Sequence, residues 1–447
     1  MVKKKQEYET MMFKNVTMLL FSLACLSITG CQPKVYLMPS PVGLNPDGKL
    51  YDMTENNKDG NLLYTLYATN RQAFDSSRKG DHYSIFPSDT LKLGFAVHRV
   101  GDEKMSWEEI LKESLSEKRD RELLISKEYV REVAHYNIDD SLRQTSSQAD
   151  GFFDQINQIL ERAFDKDILV YVHGANSNFY RATAQGAQFY HFTGHNSIVM
   201  TFSWPSAENI LKYKTDVLHA RQTVPAFARL VELLATHTRA RNINILAYSA
   251  GAQVVAPGLA YLRDEYPGEK TADLKKRLRI GEVYFAAPDT AFQPFLERYI
   301  KFNDIVGRTT INLNKNDKVL RLSALQTGIT RLGRPDPSEL SEGEIEVMLE
   351  AMRSDNLDVL DVGGSEPLSL GKAHDSWYNH PWVSTDVLLL LMFNADPLER
   401  GLEEYWGEGV AKMYRFPVGY DTNLPKILEK NKSRLEQNAK RTLGDLP

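Results

Sequence analysis

The chain has 447 residues, with 54 Lys and Arg against 59 Asp and Glu and a formal net charge of −5, a balance that argues against a nucleic-acid partner. Apolar residues make up 42% and charged residues 25%, with no low-complexity tract and no internal repeat, which describes a globular chain with a large core. The length suggests two or three domains.

Lys3, Lys4, Lys5 and Lys14 precede an apolar stretch from Val16 to Gly30 that ends in Ile28-Thr29-Gly30-Cys31. A basic start, a short apolar run and a small-residue exit make a secretory signal over residues 1–30, and the run is too short for a comfortable membrane span. Its end resembles a bacterial lipobox, so Cys31 is the expected lipidation site and mature N-terminus. Met11 or Met12 is an alternative start. Cys25 and Cys31 are the two cysteines, so the exported chain is expected to have no disulfide. Loss of residues 1–30 removes four lysines and two glutamates and leaves a charge of about −7. Gln32, in the place of an aspartate, goes with sorting to the outer membrane. The expected location is therefore the bacterial cell envelope, lipid-anchored and facing the periplasm.

Residues 31–60 are rich in Pro, Gly, Asn and Asp and read as a tether. In 61–165, Leu62–Thr69 and Thr90–Val97 are strand candidates and Trp107–Leu115 a helix. Leu123–Tyr136 is open between strand and helix, and Gln148–Phe164 carries a helical apolar stripe. This part is expected to add strands to one edge of a larger sheet. From 166 to 400 six short apolar runs, at 168–172, 197–204, 243–248, 282–287, 309–314 and 357–362, alternate with helical stretches. That alternation predicts a mainly parallel sheet with helices on both faces. A helical insertion is expected near 323–356, Ser384–Phe393 is expected as the buried last helix, and 401–447 is a C-terminal extension with an exposed end.

Within this frame the segment Asn242–Gly251, NINILAYSAG, places Ser249 between a strand and a helix in a small-x-Ser-x-Gly turn, with Ala247 where Gly is usual. Such a turn exposes a nucleophilic serine at the carboxyl edge of a parallel sheet, against the plainer reading of an ordinary strand-turn-helix serine. Acyl transfer also needs a base, an acid that orients it and donors for an oxyanion. His173-Gly174-Ala175-Asn176 follows the strand 168–172 and offers the Ala175 amide, which pairs with the Ala250 amide; His173 itself reads as a brace. Two acids close strands, Asp317 and Asp289. Asp317 is the preferred triad acid and Asp289 the alternative, since an Asp before the 290–300 helix has capping work available. His374 in GKAHDS is the expected base, with His380 in YNHPW its rival. An ordinary imidazole would become available near about pH 6.5. Absence of HExxH, of a Cys/His cluster and of GxxxxGK[ST] argues against metal hydrolysis and nucleotide chemistry, so no metal or cofactor is expected.

ATNR (68–71), LGFAV (93–97), YVHGANSNF (171–179), FSWPS (202–206), LAYSAG (246–251), AAPD (286–289), the Asp317 loop and AHDSWYNHPWVSTDVLLLL (373–391) together resemble a family of bacterial α/β-hydrolases of unknown function whose members are often exported or lipid-anchored. The resemblance runs from about residue 62 to 400. It departs at Tyr248, where the family's HSMG has His, and at AHDSW, where the family has GHSYF. It implies an α/β-hydrolase fold and a serine hydrolase without naming a substrate. A small-molecule ester is the expected partner. The rival readings are a silent hydrolase-fold scaffold, its site plugged by 323–356 or Tyr248, and a peptidase or amidase with the same triad.

Overall fold

A strand covered on both faces reads as a largely apolar run, and the runs around Ser249 do so in the middle of an eleven-stranded sheet. The computed structural model describes residues 34–42, 60–74, 82–116, 118–139, 147–209, 212–336, 338, 340–363, 373–407 and 411–440. The signal segment, Cys31 and most of the tether lie outside the described residues. The strands are β1 (Leu62–Ala73), β2 (Tyr83–Val100), β3 (Ile125–Asn137), β4 (Ile168–Val172), β5 (Ile198–Phe202), β6 (Ile243–Tyr248), β7 (Ile280–Ala286), β8 (Val306–Leu313), β9 (Leu357–Asp361), β10 (Glu403–Gly407) and β11 (Ala411–Arg415). Around them lie α1 (Trp107–Leu115), α2 (Ser147–Arg162), α3 (Phe179–Phe192), α4 (Tyr213–His237), α5 (Ala252–Asp264), α6 (Thr271–Leu278), α7 (Phe292–Phe302), α8 (Lys318–Thr327), α9 (Glu342–Ala351), α10 (Ser376–Asn379), α11 (Pro381–Phe393) and α12 (Tyr420–Lys440).

The strand order is β10-β11-β9-β8-β7-β6-β4-β5-β1-β2-β3. Every neighbour pair from β11 to β1 is parallel. The pairs β1–β2, β2–β3 and β10–β11 are antiparallel. Val172 lies opposite Ala247, and Ala247 opposite Phe285, so the loops after β4, β6 and β7 leave the sheet side by side. Leu66, Val170, Phe202, Phe227, Ile245, Val255 and Phe285 share one core, which fixes these central strands more firmly than any single contact. Among the described residues no helix is long and apolar enough to cross a membrane.

Three expectations need adjustment. The open segment 123–136 is a strand, because its pairing along β2 supplies a full ladder that a helix there would forfeit. The buried helix α11 is not the last element. Beyond it a hairpin adds β11 parallel to β9, opposite Leu360 and Asp361, and α12 follows. The hairpin's mixed-charge sequence, Glu-Glu-Tyr-Trp-Gly and Ala-Lys-Met-Tyr-Arg, hid an edge pair that has little apolar run to show. Part of the expected tether is bound in place: Leu37 and Met38 are buried, the Leu37 N–H donates to Leu123 O at 2.7 Å, and Val42 N–H donates to Thr385 Oγ1 at 2.6 Å.

Arg71 in β1 ties the site-bearing loops together. Its guanidinium is fully buried and donates to Ser203 Oγ (3.1 Å), to the carbonyls of Ser84 (3.1 Å) and Ser177 (2.7 Å), and more loosely to that of Ser206 (3.4 Å). Burial lowers its pKa to about 10, with the charges of Glu208 and Asp216 opposing that shift. Each carbonyl deprived of a buried donor costs about 1–3 kcal/mol. Arg71→Met is therefore expected to lower unfolding stability in urea by about 3 kcal/mol or more; a loss below the scatter of the fit would show that water replaces the guanidinium without penalty.

Candidate active site

Strand β6 ends at Tyr248, and the next residue turns the chain sharply. Ser249 has φ of +51°, in the left-handed region, and heads a short 3₁₀ turn, Ser249–Gly251, that runs into α5. The turn is wedged against the end of β4. A Cβ at Gly251 would lie 2.6 Å from the carbonyl oxygen of Val172 and 2.8 Å from that of His173, so no side chain fits there. From the other side, a Cβ at Gly174 would lie 2.9 Å from the Ser249 Cβ. Packing on both sides holds the strained serine in place.

Ser249 Oγ–H donates to His374 Nε2 at 2.9 Å, and His374 Nδ1–H donates to Asp317 Oδ2 at 2.8 Å. The three residues come from the turn after β6, from the segment between β9 and α10, and from the loop between β8 and α8. Asp317 is fully buried and works twice. Its Oδ1 accepts from the backbone N–H groups of Val319 and Leu320, both at 2.9 Å, as the N-cap of α8. Burial pulls the His374 imidazole down, but the hydrogen bond and charge of Asp317, with the nearby charges of Asp289 and Asp375, outweigh it and raise its pKa above 6.5. The pH at which the base becomes available is thus shifted upward from the ordinary imidazole value.

Asp289 stands elsewhere in the same neighbourhood. Its N–H donates to Ser249 O at 3.0 Å, its Oδ1 accepts from Ser323 Oγ at 2.9 Å, and Arg331 Nε faces it at 3.2 Å. Its own carbonyl accepts from Gln253 Nε2 at 2.7 Å. It caps no helix: the N-cap residue of α7 is Ala291, which offers no side-chain cap. The capping role expected for Asp289 belongs to Asp317, since the chain must still turn at Asp289 to meet Ser249 before α7 starts. His380 is the N-cap of α11, where Nδ1 accepts from Trp382 N–H at 3.2 Å; burial lowers its pKa to about 4, and it takes no part in the Ser249 chain.

His173 braces the loop. Its ring stacks on Trp204 at 5.1 Å, its nitrogens face the carbonyls of Gly174 (2.7 Å) and Trp204 (3.1 Å), and Trp204 Nε1–H donates back to His173 O. Burial, then the charge of Arg71, lowers its pKa to about 3, so a neutral ring serves one of the two carbonyls at a time. Ala250 follows Ser249 in the turn, and Ala175 follows Gly174 in the facing loop. The two amides beyond Ala175 are engaged, Asn176 N–H by Asp216 Oδ2 (3.1 Å) and Ser177 N–H by Ser206 Oγ (3.0 Å). Tyr248 sits beside the base, its ring 5.4 Å from that of His374 and 5.4 Å from that of Trp377. Among the described residues no group of three or more His, Cys, Asp or Glu could hold a metal ion.

The profile of the family described as "Alpha/beta hydrolase of unknown function (DUF900)" matches residues 148–386, more than half of the chain. The chain belongs to this family. The match takes in β4 to β9 and all three residues of the Ser249 chain, while β1–β3 at one edge and the β10–β11 hairpin with α12 lie outside it. The uncharacterized protein alr1448 of Nostoc sp. is 29% identical over 150 residues, which takes in 28% of this chain and 39% of the relative. The chain thus spans about two fifths of the length of that curated relative. No solved structure matches.

Three residues behind the site had no role assigned from sequence. Arg71 stood within ATNR, and Asp216 and Ser323 are ordinary polar positions on helices. The legible signal was for Asp317, where Asp before Lys-Val-Leu is an N-cap pattern. The cap also fixes the outcome of amidation. Asn at 317 keeps its oxygen on the α8 amides and turns its NH₂ toward His374 Nδ1, which favours the tautomer that carries its proton on Nε2. Asp317→Asn is expected to keep the fold and lower kcat on an ester by about four powers of ten. In the parent, kcat/KM is expected to rise with pH through a value above 6.5, because only the neutral imidazole accepts the serine proton. Asp289→Asn breaks a buried ion pair, at about 3–5 kcal/mol, and is expected to lower Tm while leaving most of kcat. A folded but inactive Asp289→Asn together with an active Asp317→Asn would exchange the two roles.

Proposed function

We propose that the protein is a serine hydrolase that cleaves a carboxylic ester through an acyl-enzyme. The observation that supports it is the continuous hydrogen-bonded chain Ser249–His374–Asp317 ending on a serine in a left-handed turn. In this reading Ser249 Oγ forms a bond to the ester carbonyl carbon as its proton passes to His374 Nε2. The resulting oxyanion is held by the amides of Ala175 and Ala250. Collapse breaks the bond to the alkoxy oxygen, which takes the proton from Nε2 and leaves as the alcohol. Water then repeats the sequence: it gives one proton to Nε2, adds its oxygen to the acyl carbon and releases the carboxylic acid and free Ser249. Asp317 keeps its hydrogen bond to His374 Nδ1–H throughout and fixes the tautomer. An ester is favoured over an amide because an alkoxide is the better leaving group and asks less of the acid step. This chemistry calls for no cofactor.

A fluorophosphonate probe reacts with an activated serine by displacement of fluoride, so it reads the site without knowledge of the substrate. Labelling is expected on Ser249, located by mass spectrometry of the adducted peptide, and is expected to vanish in Ser249→Ala and to fall steeply in His374→Ala. A folded parent chain that resists saturating probe would remove the hydrolase reading and leave a silent scaffold.

We also propose that Cys31 carries a lipid and holds the protein at the outer membrane, facing the periplasm. This rests on the sequence Ile28-Thr29-Gly30-Cys31 after a basic and apolar run. Cells grown with labelled palmitate are expected to incorporate it into the parent and not into Cys31→Ala, which is expected to leave the membrane fraction. Label retained in Cys31→Ala would overturn the assignment.

A further inference from the structure

Helix α8, whose first turn is held by Asp317, presents an apolar ridge to solvent. Val319, Leu322, Leu325 and Ile329 are 46%, 51%, 74% and 49% exposed. The spacing of three between Val319, Leu322 and Leu325 puts them on one side of the helix, and Ile329 follows the left-handed Gly328 that ends it. The opposite face is occupied: Leu320 and Ser323 are buried, and Ser323 reaches Asp289. Three large aliphatic side chains held out on one short helix, with Ile329 just past its end, form a patch of the kind that monomers use for contact.

Charge identifies the partner. Lys315, Lys318 and Arg321 flank the ridge, all exposed, and none makes an ion pair among the described residues. From Lys318 to Pro335 the sequence holds no acidic residue at all. In a two-fold contact between copies of this chain the same three cations would face one another, which disfavours self-association. An anionic bilayer supplies what the ridge lacks: headgroup charge for the lysines and the arginine, and acyl chains for the aliphatic row.

We propose that α8 and Ile329 dock on an anionic lipid surface and so bring the Ser249 site to it. Docking itself does not require catalysis. That the ester is drawn from the same lipid phase rests on the serine-hydrolase reading above.

The test reads the ridge locally, so that any lipid on Cys31 does not mask it. In the full chain with Cys25→Ser and Cys31→Ser, Leu325→Cys carries an environment-sensitive nitrobenzoxadiazole dye. Tyr129→Cys, exposed on β3 at the far end of the sheet, carries it as a control. With vesicles of phosphatidylcholine and phosphatidylglycerol the dye at 325 is expected to shift to the blue and brighten several-fold. High salt is expected to reverse the change, and pure phosphatidylcholine and the 129 position are expected to give none. No change at 325 while the chain floats with the vesicles would overturn the proposal, as would an equal change at 129. A dye at 325 that is already blue-shifted before vesicles are added would also overturn it, since the ridge is then covered by this chain or a second copy. Separately, Leu322→Ser with Leu325→Ser is expected to leave hydrolysis of a water-soluble nitrophenyl ester within about twofold and to slow hydrolysis of the same ester carried in anionic vesicles by at least about tenfold, because each buried leucine contributes about one power of ten or more in partition. Equal slowing on both substrates would make the two leucines structural. Failure of the parent on every ester, with the dye result intact, would sink the hydrolase reading and leave the docking surface standing.

Discussion

A buried carboxylate with one oxygen committed to a helix end can offer its other oxygen in a single direction, and Asp317 is held in this way. Two amides of α8 fix Oδ1, so Oδ2 faces His374 Nδ1 without freedom to rotate away. The imidazole has then lost its choice of tautomer, and its Nε2 lone pair meets the Ser249 hydroxyl. A carboxylate on a mobile loop would achieve the same contact part of the time; the cap makes it permanent. The position of the base therefore depends on the first turn of α8, an element that itself lies well away from the serine strand in sequence.

The nucleophile depends on a different constraint, close approach. Gly251 against the carbonyls of Val172 and His173, and Gly174 against Ser249, bring two chain segments nearer than any pair of side chains would allow. Both segments are ends of neighbouring parallel strands in register, so sheet pairing sets the approach and the glycines permit it. Arg71 and Asp216 then hold the facing loop from behind: Arg71 through the Ser177 carbonyl, and Asp216 through the Asn176 amide. Burial raises the Asp216 carboxyl to about 6, against the pull of the Ala207 and Asn176 amides that donate to it. The loop is thus held by two buried groups, each of which would lose a hydrogen-bond partner without it.

Much of this was legible in the sequence because the central strands are covered on both faces, and short runs such as ILVYV, or INILAY with Asn244 as its one polar residue inside, have few other readings. The Ser249 turn and the two acids were visible for the same reason, since they follow such runs directly, whereas the two histidines were visible only as loop residues beyond the last central strand. The edges were not. Strand β3 and the β10–β11 hairpin are partly exposed and carry alternating charge, so their pairing follows from neighbours the sequence does not show. Asp289 and Asp317 were separable only in space. Both precede helices, and what separates them is where the side chain falls: Asp317 is itself the N-cap of α8, whereas Asp289 lies two residues before the Ala291 N-cap of α7 and its carboxylate meets Ser323 and Arg331 instead.

The raised pKa of His374 carries opposite consequences for stability and for activity. Its folded value lies above the ordinary 6.5, so folding favours the imidazolium. The stabilisation is fully present below the unfolded pKa and is lost as pH rises through the folded value. A serine nucleophile needs the neutral ring, which prevails only as that stabilisation fades. The carboxylates of Asp317, Asp289 and Asp375 create both effects, because each attracts the proton wherever it comes from. The same attraction that keeps the resting ring charged to higher pH holds the imidazolium that forms when Ser249 gives up its proton. Burial moderates it by opposing the charged ring, and the Arg331 guanidinium beside Asp289 screens one of the three carboxylates. The site is therefore a compromise in which the base is made stronger at the expense of how much of it is free, and the burial of His374, which opposes the charged ring, sets where that compromise falls.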